Sequence, residues 1–543
     1  MKHLTDAEYK DLSRSEKIKY RLRRGLYHLK CFFDPSRVTD LEYLRMGKFK
    51  KIWYKIKRFF VSIPSKIGHF FVKVWNTIKK GVLAVKNEFV DIFTTFKEGS
   101  WQTKVSYFVM GFGNLARGQI LRGVLFLLFE LVFIGYMIIA GGHWLSKLTT
   151  LGTEAGQANV YDPATDSYIA APGDDSFKIL LYGLLTVIFI IALIYTWRVN
   201  VKQNKILDKI VKSGKKIKSG KEDLHSLVDD QFHKTMLALP LTGIMVFTVI
   251  PIIFMILVAF TNYDALHDGY SNLFTWVGLD NFNELFSWSS GTGKLSAAFG
   301  EILSWTLMWA FFATFTNYFL GMFVAIMINK RGIKLKKMWR GILVLTIAIP
   351  QFVSLLYVSK MFADNGLING FLLDMGWIND PIPFWTDPTY ARITVILINI
   401  WIGIPYLMLI ATGILMNIPQ DLYESSRIDG ASVWQQYTRI TLPYMLFVTG
   451  PYLLTSFIGN INNFNVIYLL TGGGPTNPNL LTSGGSAGDT DLLVTWLFNM
   501  TTGAETNYKL AAVIGIMIFL VVAVISLVVY NLIPSTRNEE DFQ

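Results

Sequence analysis

Charged residues are scarce in this chain: Asp, Glu, Lys and Arg make up only 17% of its 543 residues. A soluble globular domain carries roughly 25% charged residues, and a disordered chain combines low hydrophobicity with a high net charge. Here 52% of the residues are hydrophobic, and the mean hydropathy is +0.38. The composition therefore excludes an ordinary soluble enzyme and a disordered chain, and it predicts a membrane protein.

Cysteine is nearly absent, since Cys31 is the single one. It cannot form an intrachain disulfide, and it leaves no CxxC pair for a metal. The seven histidines lack the spacing of metal ligands. The best phosphate-loop candidate, 290–296, lacks a glycine five residues before Gly293 and has Leu295 where a Mg²⁺-binding hydroxyl is required. We interpret it as a flexible turn, and we predict no catalytic residue, no metal and no cofactor.

Long apolar runs are abundant instead. About 20 consecutive apolar residues form a helix that crosses a bilayer core, and a helix satisfies its backbone hydrogen bonds internally. No cleavable signal peptide is expected before these runs, because the first thirty residues are charged throughout. The predicted fold class is all-α, a polytopic transmembrane helical protein with eight spans: Leu121–Ala140, Ile179–Trp197, Met236–Phe260, Leu303–Ile328, Ile342–Met361, Ile393–Met416, Tyr444–Ile461 and Leu510–Leu532.

The loops between the spans separate by charge. Residues 1–118 carry 25 Lys and Arg against 10 Asp and Glu, 198–235 carry 10 against 5, and 329–340 carry 6 against none. The four alternate loops together carry 2 basic residues against 16 acidic ones: 142–177, 261–300, 362–391 and 463–508. Basic loops stay in the cytoplasm, so we predict a multi-pass protein of the cell membrane with both termini inside. The net charge of +12 then reflects topology and attraction to anionic lipid, not nucleic-acid binding.

Residues 1–118 form a predicted basic, amphipathic extension on the cytoplasmic side. Segment 48–60 mixes cations with aromatic residues at roughly helical spacing, which is typical of a helix in the lipid headgroup layer. A solvated basic tail is the alternative. The aromatic residues expected in the membrane interface are Trp53, Phe59, Phe60, Phe70 and Phe71. The remaining predicted parts are two N-terminal spans with a basic loop (119–234), a six-span core (235–536) and a cytoplasmic tail (537–543).

The loop between the sixth and seventh predicted spans, 417–443, contains the most informative pattern. Asp421 and Glu424 fall near the start of a short predicted helix, where acidic side chains suit the positive end of the helix dipole. Gly430 favours a sharp helix end, and Pro443 is expected to begin the next span. We predict a short helix–turn–helix that projects from the membrane. Spacing alone leaves two interpretations open, a docking element and an ordinary amphipathic connector.

This loop resembles the EAA signature of type I ABC importer permeases, in which E-A-A is followed by D-G-A and then by I-x-x-P. The matching residues are Glu424, Asp429, Gly430, Ala431, Leu442 and Pro443. Ser425 and Ser426 replace the two alanines, a small-for-small change. The resemblance implies that this helix inserts into a cleft of a cytoplasmic ATPase subunit. The coupling residues it implies are Glu424, Ser425, Ser426, Asp429, Gly430 and Ala431.

Within that family, roughly residues 235–540 resemble the MalF-type larger subunits of maltose permeases. The stretches that carry this likeness are 277–282, 399–406, 462–464, 472–475 and 490–494. The resemblance implies a permease subunit of an ATP-driven carbohydrate importer for maltose or maltodextrin. The implied partners are a second homologous permease, two ATP-binding cassette subunits, an extracytoplasmic sugar-binding protein and the oligosaccharide. The large extracytoplasmic insertion of such subunits between the third and fourth spans is missing.

Prolines and polar residues within the spans suggest a polar cavity. Pro350 and Pro405 are expected to interrupt the fifth and sixth spans, which frees backbone groups that need a polar environment. By resemblance, the substrate-binding residues are Gln351, Asn399, Ile402, Gly403, Tyr406, Gly459, Asn460 and Asn463. Gly459 stands where a family member has an aromatic ring, and Gln351 replaces a smaller hydroxyl residue. The alternative role for the asparagines is hydrogen bonding between neighbouring helices.

A stand-alone, ion-coupled secondary transporter is the alternative function. It requires ionisable residues along the transport route and discontinuous helices in paired repeats. Only Glu130 is a clear ionisable residue within the spans, and it lies outside the resembled core. An interhelical hydrogen bond or a partner contact is the better interpretation of Glu130. A third class, a membrane sensor or scaffold, would not need the EAA-like loop.

Overall fold

The computed structural model describes residues 75–532 with short gaps. The gaps are 78, 163–165, 172, 218–221, 223–224, 227, 230, 269–271, 287–292, 331, 483–484 and 504–505. Several predictions fall outside the described residues, namely the interfacial aromatic residues of the extension, Cys31, part of the turn at 290–296 and the tail 537–543. The predicted domain boundaries stay predictions.

Seven of the eight predicted spans coincide with long apolar helices of 23 to 37 residues, enough to cross a bilayer core. In chain order, spans 1–4 and 6–8 are Ile120–Lys147, Ser176–Lys212, Phe232–Val258, Leu295–Asn329, Pro388–Leu415, Val433–Ile461 and Tyr508–Tyr530. The whole helices that contain spans 4 and 8 run Gly293–Asn329 and Tyr508–Leu532. The polytopic helical fold class is confirmed.

Span 5 is broken where the sequence predicts a proline interruption. It consists of the helices Lys336–Ala348 and Gln351–Met361, which are bent by 89° relative to each other. Ile349 and Pro350 between them have ψ angles of 128° and 127°, outside the helical region. Proline lacks an N–H and disfavours the helical region for the residue before it, so one helix ends here and another begins.

The expected interruption at Pro405 is wrong, because span 6 is one helix through this residue. The proline then costs one helical hydrogen bond, to the carbonyl of Trp401, without ending the helix.

The expectation that Pro443 begins span 7 is also wrong. The helix begins at Val433, where Ser432 and Gln435 form a capping box. A π-helical segment, Tyr437–Thr441, then precedes Pro443. Such a wider turn accommodates a proline that cannot donate to the preceding carbonyls, and span 7 therefore continues through Pro443.

Shorter elements connect the spans. The helices outside the spans are 79–98, Trp101–Val105, Phe112–Leu115, Asp280–Phe286, Leu367–Asp374, Gln420–Ile428, Phe464–Leu470 and Leu493–Thr502. Spans 1 and 3 each contain a π-helical segment, Met137–Gly141 and Met245–Val249. The described residues also contain two small antiparallel hairpins, which the all-α prediction did not include. In these hairpins β1 (Gln157–Asp162) pairs with β2 (Ser167–Ala171), and β3 (Thr476–Thr482) pairs with β4 (Gly485–Gly488).

One compact unit comprises residues 1–130 and 194–223, and a buried ion pair lies in its described part. The side chains of Arg117 and Asp208 form this pair and are only 3% and 10% exposed. The guanidinium also donates to the hydroxyls of Ser100 and Thr103 at 2.7 Å and to Asn204 Oδ1 at 2.8 Å. A buried charge is tolerated when its partners satisfy it in this way, so the network joins the segment before span 1 to the helix of span 2.

Arg117→Ala is expected to lower the free energy of unfolding by about 3–5 kcal/mol, because it leaves the Asp208 carboxylate buried without its ionic partner. The matched control is Arg198→Ala, whose ion pair with Glu88 has side-chain exposures of 43% and 23%. Exposed pairs contribute much less to stability than buried ones, so this control should unfold close to the wild-type temperature. Thermal unfolding of both variants in detergent measures the difference, and equal losses would contradict the assignment.

A turn at Met110 and Gly111 gives Glu130 a structural role. Glu130 Oε2 accepts a 2.7 Å hydrogen bond from the backbone N–H of Met110. The N–H of Gly111, a residue with a φ of +82°, donates to Asn200 Oδ1 at 3.1 Å. The carboxylate within span 1 thus satisfies backbone of the same unit, in line with the hydrogen-bonding interpretation of Glu130.

The second unit, residues 131–193 and 224–543, is built around fully buried tryptophans. Trp496 on helix Leu493–Thr502 is completely buried in a cluster with residues of spans 3, 4 and 8. Trp309 on span 4 is completely buried in a second cluster with residues of span 6. These cores fix the helices that surround the candidate site.

The loop before Leu493–Thr502 contains a buried carboxyl group. Asp491 is 2% exposed and accepts hydrogen bonds from the backbone N–H of Gly488 at 2.8 Å and from Thr495 Oγ1 at 2.7 Å. Burial raises the pKa of Asp491 to about 6, although the two hydrogen bonds act in the opposite direction. The folded protein therefore holds a proton here that the unfolded chain releases at lower pH.

The contribution of Asp491 to stability is expected to fall as the pH rises from about 4 to about 6. An unfolded aspartate has a pKa of about 3.9, so in this window the unfolded chain loses the proton that folded Asp491 retains. The loss amounts to about 3 kcal/mol, and Asp491→Asn removes it. Unfolding temperatures of both proteins across this range measure the effect. A parallel pH dependence in the two proteins would contradict the assignment.

Asp174 provides a control of opposite sign. Burial raises the pKa of Asp174, but its bonds to Lys147, at 2.5 Å, and to the N–H groups of Thr153 and Glu154 prevail, so the net shift is downward. Its contribution to stability is present above the unfolded pKa and is lost as the pH falls. As the pH falls, the Asp174→Asn variant should therefore lose less stability than the wild-type protein does.

Candidate functional site

A cavity of about 480 Å³ lies among spans 4, 5, 6 and 7 of the second unit. The break in span 5 forms one wall, because the backbone between Ala348 and Gln351 leaves the helix there and faces the space. Six of the eight residues predicted to bind substrate line this cavity: Gln351, Asn399, Ile402, Gly403, Tyr406 and Asn460. The structure therefore brings together predicted residues that are more than a hundred positions apart in sequence.

The other two predicted residues, Gly459 and Asn463, do not line the cavity. A Cβ atom added to Gly459 would have no atom within 4 Å. Asn463 caps helix Phe464–Leu470, where its Oδ1 accepts from the N–H of Val466 at 3.4 Å. Its Nδ2 donates to Asn460 Oδ1 at 3.3 Å. The contacts of Asn463 are those of a capping residue that also supports Asn460.

Asn460 joins span 7 to span 4. Its Nδ2 donates to Thr314 Oγ1 at 3.0 Å, and its backbone carbonyl accepts from Trp309 Nε1 at 3.1 Å. Its own side chain lies on the cavity wall. Asn460 therefore makes hydrogen bonds between helices, which was the alternative role predicted for the asparagines, and it also lies beside the cavity.

Gly403 lies where spans 4 and 6 cross closely. A Cβ atom added to Gly403 would lie 2.4 Å from Asn317 Nδ2, and one added to Gly321 on span 4 would lie 2.6 Å from Leu407 Cβ. Small residues allow helix backbones in membranes to approach each other in this way. Gly403 thus makes room for the side chain of Asn317 at the cavity.

Gly403→Ala is expected to destabilise the protein by about 1–3 kcal/mol, because the added methyl group overlaps the Asn317 amide in a packed core. Gly459→Ala is the matched control in span 7, since its methyl group enters open space. The unfolding temperature of each variant in detergent checks this. A control that loses as much stability as Gly403→Ala would contradict the packing assignment.

Five polar residues on the cavity wall are absent from the sequence-based prediction: Asn317, Thr346, Ser354, Tyr452 and Ser456. Asn317 on span 4 is 5% exposed. The signal that points to it is a strongly polar side chain in the middle of an apolar run, which usually faces the protein interior or a cavity. None of the described residues around the cavity is charged.

The segment predicted to couple to an ATPase forms a helix, Gln420–Ile428, and a tight turn. Asp421 lies in the first turn of the helix, and Gly430 has a φ of +77° at its end. We call residues 420–432 the coupling segment. It contains all six predicted coupling residues, of which Glu424, Ser425, Asp429 and Gly430 are exposed and Ser426 and Ala431 are half-buried.

Hydrogen bonds tie the coupling segment to the beginning of span 7. Gln436 Nε2 donates to Ser426 Oγ at 2.8 Å and to the Tyr423 carbonyl at 3.2 Å. The hydroxyl of Tyr423 lies 2.8 Å from Thr441 Oγ1. These bonds and a short turn therefore connect the helix directly to the beginning of span 7.

Large apolar side chains are exposed around the turn. Ile428 and Val433 are 87% and 83% exposed, and Trp434 is 70% exposed. An exposed apolar patch with a polar rim is typical of a protein–protein contact. The structure thus presents an exposed element with an apolar tip. Elsewhere too, within the described residues, no group of three His, Cys, Asp or Glu side chains could hold a metal.

Comparison with known proteins adds a family match and several relatives. Residues 317–538 match the family described as binding-protein-dependent transport system inner membrane component. The maltodextrin transport system permease protein MalC of Streptococcus pneumoniae is 34% identical over 440 residues, which covers 80% of this chain and 95% of MalC. The galactooligosaccharides transport system permease protein GanP of Bacillus subtilis is 33% identical over 438 residues, 79% of this chain and 97% of GanP.

Two further matches cover less of the chain. MalF of Klebsiella aerogenes, a maltose/maltodextrin transport system permease protein, is 36% identical over 269 residues, 49% of this chain and 50% of MalF. A bacterial ABC transporter involved in the import of alginate matches in structure with a TM-score of 0.46 and 24% identity, over 57% of this chain and 97% of that one. The 440-residue match also exceeds the range 235–540, so the family likeness is wider than the sequence motifs indicate.

Proposed function

The chain belongs to the family of ABC importer permeases, the inner membrane components of binding-protein-dependent transport systems, and from this premise we propose that it imports maltodextrin-type oligosaccharides with energy from ATP. Membership in this family excludes the alternative of a stand-alone secondary transporter. The chain supplies part of the translocation path and one coupling segment, and we assign the hydrolysis of ATP to partner subunits.

The continuity of span 7 carries the proposal. One helix, Val433–Ile461, begins at the exposed turn of the coupling segment and reaches Tyr452, Ser456 and Asn460 at the cavity. From Val433 to Tyr452 the helix rises about 28 Å, at about 1.5 Å per residue. A continuous helix of this kind would transmit a movement of the ATPase to the residues that contact the substrate, as alternating access requires.

The lining of the cavity favours a neutral, polyhydroxylated substrate. The described lining contains amides and hydroxyls beside the rings of Trp401, Tyr406 and Tyr452, and it contains no charged side chain. A sugar has polar edges that bond to amides and apolar ring faces that pack on aromatic rings. The volume of about 480 Å³ lies in the range of small-molecule sites, about 300–1,000 Å³. The names of the relatives MalC and GanP favour an oligosaccharide.

We assign three kinds of protein partner to this subunit. A second homologous permease completes the path, two ATP-binding cassette subunits dock at the coupling segments, and an extracytoplasmic binding protein delivers the sugar. The coupling segment then faces the cytoplasm, as do both termini, in agreement with the basic loops at 198–235 and 329–340. The subunit resides in the cell membrane, where it contacts lipid along the exposed apolar faces of its spans.

Stimulated ATP hydrolysis tests the function. The assembled complex in nanodiscs should hydrolyse ATP several-fold faster when its binding protein and maltotriose are both present. Galacto-oligosaccharides and alginate oligosaccharides serve as competing substrates for the same assay. A complex whose ATP hydrolysis responds to one of these sugars and not to maltotriose would refute the assignment of the sugar. The assignment as an importer would still stand.

A further inference from the structure

Two buried amide groups on the cavity wall have atoms without a hydrogen-bond partner. Asn317 on span 4 is 5% exposed, and Asn399 on span 6 is 7% exposed. Within the described part of the chain, Asn317 Oδ1 and Asn399 Nδ2 make no hydrogen bond. Both residues line the cavity. The acceptor Oδ1 of Asn317 therefore lacks a donor, and the donor Nδ2 of Asn399 lacks an acceptor.

The amide of Asn317 is held in one orientation. Its Nδ2 donates to the carbonyl of Ala313 at 2.8 Å and to the carbonyl of Asn399 at 3.4 Å. Turning the amide over would place Oδ1 against these two carbonyl oxygens, which cannot donate. Gly403 provides the space for the side chain, since a Cβ atom there would lie 2.4 Å from Nδ2. The unpartnered Oδ1 is thus a fixed feature of the site.

A hydroxyl group matches this arrangement. It donates one hydrogen bond and accepts others, so a single hydroxyl can donate to Asn317 Oδ1 and accept from Asn399 Nδ2. An ammonium group has no acceptor for Asn399, and a carboxylate has no donor for Asn317. A site built to bond a hydroxyl also rejects analogues that lack it, because the buried amide atoms then stay unpaired.

We propose that Asn317 and Asn399 together form a recognition point for one hydroxyl of the transported sugar. The proposal rests on the proposed function and adds Asn317, which the sequence motifs do not assign to the site. It makes this amide pair a determinant of specificity among oligosaccharides that differ in a single hydroxyl. The oligosaccharide enters the cavity with one hydroxyl between spans 4 and 6.

Uptake of maltotriose and of its monodeoxy analogues by the full transporter in proteoliposomes tests the proposal. The wild-type transporter should take up one or two of these analogues about tenfold more slowly than maltotriose, because the unpaired amide atoms raise the cost of binding. Asn317→Ala should take up maltotriose about tenfold more slowly and should no longer discriminate against those same analogues. Discrimination against the other analogues should remain.

Two further variants make the result specific. Asn399→Ala also removes an unpartnered atom, and its Nδ2 bonds to no described residue, so it tests the same site if Asn317→Ala fails to fold. Asn329→Ala is the control on span 4, since Asn329 bonds to Ala325, Thr412 and Arg340 away from the cavity. It should keep the wild-type pattern of discrimination.

Three results would overturn the proposal. Normal uptake with unchanged discrimination in both Asn317→Ala and Asn399→Ala would remove these residues from recognition. An equal loss for maltotriose and for every analogue would assign them a structural role, with water as the partner of both amides. A wild-type transporter that takes up no oligosaccharide at all would instead refute the proposed function, and the hydroxyl site with it.

Discussion

Replacing Glu424 by lysine is expected to reduce ATP-driven uptake at least 100-fold. Glu424 is an exposed residue of the helix Gln420–Ile428, which we propose inserts into an ATPase subunit. The change reverses a charge in a protein–protein contact, where juxtaposed like charges cost several kcal/mol, and about 1.4 kcal/mol corresponds to a factor of ten. Uptake by the reconstituted transporter measures the loss, and copurification of the ATPase shows whether docking is the cause.

The matched control is Asp229→Lys, the same reversal of charge at an exposed residue outside the coupling segment. It should leave uptake near the wild-type rate. The binding protein should bind maltodextrin normally in every case, because it is a separate chain. Normal uptake together with normal ATPase assembly in Glu424→Lys would remove the coupling role of this helix.

Replacing Tyr406 by alanine is expected to reduce sugar uptake about 10- to 100-fold. Tyr406 is 53% exposed and lines the cavity on span 6. An aromatic ring that packs on a sugar contributes large apolar contact, and a loss of about 1.4–2.7 kcal/mol corresponds to this range. Initial uptake rates over a range of maltotriose concentrations check the prediction.

Two variants separate the ring from the hydroxyl and from general damage. Tyr406→Phe keeps the ring and should retain most of the uptake. Tyr357→Ala removes a tyrosine that is 71% exposed on helix Gln351–Met361 and does not line the cavity. It should transport at the normal rate. Normal uptake by Tyr406→Ala would place the sugar elsewhere.

The spans could be predicted from the sequence because each is a run of apolar residues longer than a bilayer core requires. Their irregularities could not. Pro350 ends a helix completely, whereas Pro405 lies within an uninterrupted one, although both are prolines in similar apolar runs. A proline in an apolar run permits either outcome, so the sequence pattern alone does not distinguish them. The start of span 7 depends on the capping box at Ser432, which is a local signal that the apolar pattern conceals.

The cavity could be predicted in part. Span 6 offers Asn399, Gly403 and Tyr406 at helical spacing, and the structure places all three on the cavity wall. Asn463 carries the same chemistry but caps a helix instead. Asn317 lies far from these residues in sequence, and only the close crossing of spans 4 and 6 brings it to the same wall.

The most direct test of the central claim is uptake of labelled maltotriose into proteoliposomes that contain this chain, its partner permease and the two ATPase subunits. The account predicts uptake that requires enclosed ATP and the external binding protein, and that persists when ionophores collapse all ion gradients. Uptake that an imposed ion gradient drives without ATP, or that this chain sustains alone, would contradict it.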